Sequence, residues 1–104
     1  MVYKAPMDRQ DIIARLRQHQ ATLHALGVMH AAVFGSRARG DNGPDSDTDI
    51  LIEIDPEASV GIYEYVGIKD AIAGLFEGPV DVVDKDGLKP RIRAAATEEA
   101  IYAF

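Results

Sequence analysis

Three short apolar runs constrain this chain more than anything else in it. They are Val28-Met29-His30-Ala31-Ala32-Val33-Phe34, Ile50-Leu51-Ile52-Glu53-Ile54 and Val80-Asp81-Val82-Val83. The first ends at Gly35 and the second at Asp55-Pro56. Too short for helices and rich in β-branched residues, they read as strands of a small sheet. Elsewhere apolar residues recur at helical spacing. Ile12, Leu16, Leu23 and Leu26 predict a helix from Asp8 to about Leu26, stopped by Gly27. Tyr65, Ile68, Ile72, Leu75 and Phe76 predict a second over about 62–76, closed by Gly78-Pro79. Pro90 suits the first turn of a last helix running to about Ala100. The order helix, strand, strand, helix, strand, helix predicts an α/β (α+β) domain, a small mixed β-sheet of three to four strands flanked by helices.

At 104 residues, with neither repeat nor linker, the chain reads as a single domain over 1–104. It lacks cysteine, which excludes disulfides, thiolate metal sites and cysteine nucleophiles. The N-terminus Met1-Val2-Tyr3-Lys4-Ala5-Pro6 has no apolar signal-peptide core, and no run nears the roughly 20 residues of a membrane span. A cytoplasmic protein with no membrane contact is expected. Seventeen acidic residues against 11 basic ones, a net charge of −6, argue against direct nucleic-acid binding. They leave a nucleotide substrate open, because clustered carboxylates can hold Mg²⁺ and the metal can carry phosphates.

The chemistry is concentrated between Gly35 and Asp49. Asp47 and Asp49 stand at i and i+2 where a strand begins, so an extended backbone turns both carboxylates to one face. Two such groups repel unless a cation lies between them. If the third strand pairs with the second, Asp81 faces the same ions, and three carboxylates on two strands suit metal-assisted nucleotidyl transfer. Asp84 is the rival for this place. Gly35-Ser36 ends a strand and opens a short helix, an arrangement that admits phosphates. Arg37 and Arg39 stand nearby, either as phosphate donors or in surface ion pairs.

Other motif readings fail on counting. Gly40 is followed by Asp41-Asn42, where a P-loop needs Lys and Ser/Thr. An EF-hand starting at Asp45 puts Ile50 at the glycine position and Pro56 at the bidentate glutamate. The dinucleotide fingerprint lacks its second glycine. Plainer roles are expected for the remaining polar residues: Asp41 and Asp45 in a turn, Lys69, Arg91 and Arg93 on solvated helix faces, and His19 packed. His24 and His30 show no metal-ligand spacing, and Tyr3, Tyr63, Tyr65 and Tyr102 read as packing residues.

Gly35-Ser36, ten intervening residues and Asp47-Thr48-Asp49 together resemble the signature of the polymerase-β-like nucleotidyltransferase superfamily. The size and the run Gly35-Ser36-Arg37-Ala38-Arg39-Gly40 resemble its minimal nucleotidyltransferases, the MntA-like antitoxin group, over about residues 8–101. This resemblance implies the polymerase-β-like nucleotidyltransferase fold, with Asp47, Asp49 and Asp81 as catalytic residues holding two Mg²⁺ ions. Asp81 would also activate the acceptor hydroxyl. Gly35 and Ser36, with Arg37 and Arg39, would bind the nucleotide. It further implies transfer of AMP from ATP to a hydroxyl, tyrosine by expectation, of a partner HEPN toxin. The alternative is a non-catalytic antitoxin that neutralises its partner by stoichiometric binding. A chain this small has no template or acceptor domain, which favours an acceptor presented by a protein partner.

Overall fold

The computed structural model describes residues 8–40 and 47–104. Helix α1 (Arg9–Gln18) begins with a capping box: Asp11 N–H donates to Asp8 Oδ1 at 2.9 Å, and Asp8 N–H returns a bond to Asp11 Oδ2 at 3.3 Å. The expected single first helix is divided at His19. The His19 backbone N–H bonds the Leu16 carbonyl at 3.1 Å, tightening the last turn, and its ring Nδ1 lies 3.0 Å from the Arg15 carbonyl. Helix α2 (Gln20–Ala25) then restarts the chain toward strand β1 (Val28–Phe34). After β1 come α3 (Ser36–Arg39), β2 (Thr48–Ile54), α4 (Ile62–Ala73) and β3 (Val80–Asp84). A 3₁₀ turn over Lys85–Gly87, α5 (Pro90–Glu99) and β4 (Ile101–Tyr102) complete the described elements.

The sheet has the order β3-β2-β1-β4. β1 runs antiparallel to β2 and to β4, and β2 parallel to β3 with α4 as the crossover that parallel neighbours require. This is the expected small mixed sheet, at the upper end of its strand number. The fourth strand was not legible because two residues are too short to show alternation. Only pairing defines it: Tyr102 opposite Ala32, Ile101 opposite Val33, and Ala103 N–H donating to the Ala31 carbonyl at 2.8 Å.

The pleat sends alternate residues to opposite faces. One face, with Ala31, Val33, Ile50, Ile52 and Val82, is covered by Ile12 and Leu16 of α1, Leu23 of α2 and Ile68 and Ile72 of α4. The predicted core residues are there, except Leu26, which caps the end of α2 and stays 40% exposed. α4 also stops short of the expected Phe76, at Ala73, although Phe76 still reaches the core. Ile72 is fully buried, so Ile72→Ala is expected to lower unfolding free energy by about 2–5 kcal/mol, measured by denaturant titration. The opposite face carries Asp49, Leu51 and Glu53 of β2, and it is here that the polar side chains collect.

Candidate active site

β2 is built to project acidic groups from its entry. Thr48 is buried and its N–H donates to the Pro79 carbonyl at 3.1 Å, tying the start of β2 to the chain entering β3. Its neighbours take the other side of the pleat: Asp47 is exposed just ahead of the strand, and Asp49 is half-buried within it. The parallel register sets Asp49 beside Asp81. The expected pairing of the second and third strands is therefore present, and Asp47, Asp49 and Asp81 gather at one end of the sheet. Asp81 itself is exposed, and the strand register alone brings it to this place. Asp84 falls on the other side of the pleat from Asp81, opposite Ile52, and its Oδ1 accepts from Asp86 N–H at 3.1 Å, capping the 3₁₀ turn.

Burial lifts the Asp49 carboxyl above its ordinary pKa, and the charges of Asp81 and Asp47 lift it further, against the opposing pull of Arg39 and Arg37. The folded state therefore holds this proton more tightly than the unfolded chain. The resulting penalty is absent below the unfolded value of 3.8 and fully present above the raised folded value. Asp49→Asn is thus expected to melt at a higher temperature than the parent at pH 7 without added metal. That advantage should fade as pH falls toward 4, and an equal or lower midpoint at pH 7 would contradict the strain.

Gly35 ends β1 with φ of +73°, a conformation L side chains rarely adopt. A Cβ there would fall on Asp49 Oδ2. Glycine thus lets the turn into α3 close directly over the carboxylate. Ser36 and Arg37 follow in α3, with Arg37 buried and Arg39 exposed. Arg39 Nη1 reaches Glu99 Oε1 at 2.8 Å, so the ion-pair reading of Arg39 is realised, with a partner from α5 that no local spacing announces. An exposed pair of this kind contributes little to stability. Among the described residues, no three acidic or histidine side chains close into one metal-ligand group. The expected turn residues Asp41 and Asp45 lie outside the described residues.

Sequence reasoning overlooked a second polar group on this face. Tyr102 O–H donates to Glu53 Oε2 at 3.0 Å, and Lys85 Nζ lies 3.5 Å from Glu53 Oε1. Burial and the Glu53 carboxylate push the Tyr102 hydroxyl pKa up. Residues 53, 85 and 102 are joined only by sheet pairing, and no linear signal marks them. The other polar assignments are local. Lys69 Nζ lies 5.5 Å from the Tyr65 ring, Arg93 donates to the Leu88 carbonyl at 3.1 Å, and His24 stacks on Phe104.

Asp49 and Asp81 thus stand at matched register, with Asp47 beside them and the glycine turn at Gly35 closed over Asp49. Residues 13–103 match the model of the nucleotidyltransferase domain. The chain belongs to the nucleotidyltransferase domain family. It is 30% identical, over 94% of its length and 98% of the relative's, to the protein adenylyltransferase MntA of Thermococcus cleftensis. A candidate protein adenylyltransferase of Methanocaldococcus jannaschii is also 30% identical, over 84% of this chain and 89% of the relative. A solved structure described as a candidate minimal nucleotidyltransferase superposes with a TM-score of 0.76 at 34% identity, covering 94% of this chain and 98% of that one. A toxin–antitoxin crystal structure with AMP-PNP shares the fold at a TM-score of 0.64 and 15% identity, over 85% of this chain and 72% of that one. This nucleotidyltransferase carries the minimal α+β core of its family. No helix among its described residues is long and apolar enough to cross a membrane.

Proposed function

We propose that this nucleotidyltransferase moves AMP from ATP onto a hydroxyl, a tyrosine by expectation, of a partner HEPN-domain toxin, and so acts as the antitoxin of a toxin–antitoxin pair. The observation that carries the reading is the register of Asp49 on Asp81 with Gly35 closed over Asp49. The two relatives named as protein adenylyltransferases support the reaction. The toxin–antitoxin neighbour supports the setting, while the HEPN identity of the partner rests on the family resemblance.

Asp47, Asp49 and Asp81 fit Mg²⁺ by donor chemistry, being hard carboxylate oxygens whose mutual repulsion already burdens Asp49. Two ions held there would neutralise triphosphate charge and clamp the attacking and leaving oxygens. The chain's own residues do the rest. Gly35 lets the Asp49 carboxylate sit against the β1–α3 turn, and Ser36, Arg37 and Arg39 would supply donors to the phosphates. Arg39 would exchange Glu99 for a phosphate oxygen. The acceptor oxygen bonds to the α-phosphorus in line as the bond to the bridging oxygen breaks. Pyrophosphate leaves, and the acceptor's proton passes to the Asp81 carboxylate.

The test is transfer of label from α-labelled ATP, with Mg²⁺, onto the protein encoded beside this one. Label on that protein, abolished by chelator, is the expected result. A stable complex without label would replace catalysis by stoichiometric neutralisation.

A further inference from the structure

The outer surface of α4 lies on the face of the sheet opposite the carboxylates and, among the described residues, its apolar start has no cover. Ile62 is 76% exposed, Tyr63 88% and Val66 50%, while the helix's inner residues Ile68 and Ile72 are buried. Beside this ridge runs an open groove of about 490 Å³ between α4 and the end of α2, lined by Leu26, Gly27, Ala58, Gly67 and Ala71. Gly67 stands inside a helix, where glycine is disfavoured relative to alanine. Nothing within 4 Å of a Cβ there would explain it, so packing among the described residues does not require a glycine. A large aromatic, two branched aliphatics and a groove floored by small residues are the elements of a ridge-and-groove seat for a helix.

Charge selects the occupant. Glu64 lines the groove and Asp70 stands exposed on the same helix one turn past Val66, while Lys69 between them is turned over the Tyr65 ring, on a chain of net charge −6. A second copy would bring these carboxylates against one another, and an anionic lipid surface or nucleic acid would meet the same repulsion. We propose that this face docks an amphipathic helix of a protein partner, its apolar stripe on Tyr63, Val66 and the groove and its flanking lysines and arginines against the acidic rim. The seat goes beyond the transfer reading and does not depend on it. Because it lies on the far side of the sheet, a helix held there leaves Asp49 and Asp81 accessible.

The test uses the full chain and two synthetic amphipathic helices with the same leucine stripe, one flanked by lysine and one by glutamate. Binding is followed by backbone amide shifts. The lysine helix is expected to shift residues of α4 and the end of α2, and to weaken as salt rises. The glutamate helix should not bind. Val66→Asp and Tyr63→Ala, both at exposed positions, should weaken the lysine helix by at least about tenfold. Gly67→Leu should melt higher than the parent yet bind no helix, because it fills the groove. Equal binding of both peptides, binding unaffected by Val66→Asp, or a dimer in sedimentation that Val66→Asp dissolves would overturn the proposal. Loss of nucleotidyl transfer in Asp47→Ala, with helix binding retained, would separate this surface from the active site.

Discussion

Asp47→Ala is expected to reduce nucleotidyl transfer by about a thousandfold or more while leaving the melting temperature within a few degrees of the parent. Asp47 precedes β2 and is exposed, so no core contact goes with it. What goes is one of the three carboxylates gathered at the end of the sheet. A metal ligand in such a site supports several kcal/mol of transition-state charge stabilisation, and each 1.36 kcal/mol is a factor of ten in rate. The measurement is single-turnover transfer from α-labelled ATP, with circular dichroism of both proteins at the same pH. Full activity in the variant would remove Asp47 from the mechanism, and equal loss of activity and fold would make its role structural.

Gly35→Ala should damage both activity and stability. The backbone at φ +73° and ψ −151° lies in a region that is nearly glycine-only and costs an L residue about 1–3 kcal/mol, and the added methyl must displace the Asp49 carboxylate. A shift of about 1 Å in a reacting group can lower a rate about a hundredfold. Gly40→Ala is the control, since Gly40 also has a positive φ, +81°, but no described atom lies within 4 Å of a Cβ there. Gly40, at ψ +12° in the ordinary left-handed region and without that clash, should lose less stability on substitution by alanine, about 1–2 kcal/mol, and keep most of its activity. If both variants retain activity, the close approach of Gly35 to Asp49 is not needed for transfer. If both lose it equally, backbone strain alone is responsible.

These two residues also show where linear reasoning worked. The spacing from Gly35-Ser36 to Asp47 and Asp49 was legible because each role depends on neighbours within a turn: a glycine where the chain must bend tightly, and alternation along an extended backbone. Strand β1 was legible for a similar reason, as an apolar run with a glycine stop. The division of the first helix at His19 was not, because a single side chain competing for the Arg15 carbonyl interrupts a pattern that stays helical on both sides. The exposure of Leu26 and the apolar ridge of α4 were hidden as well, since helical periodicity does not report which side the rest of the fold leaves uncovered.

From residue order alone came the alternation of helices and strands, the glycine turn and the paired aspartates, because backbone preference and pleat periodicity act over a few residues. The tertiary structure alone decided that β3 lies parallel to β2 with Asp81 level with Asp49, that β4 forms at all, and that Arg39 meets Glu99 and Tyr102 meets Glu53. Each of these joins residues separated by 32 to 70 positions. Sheet register, set by packing of the whole core, determines which strand residues meet, and the placement of α3 and α5 brings Arg39 to Glu99.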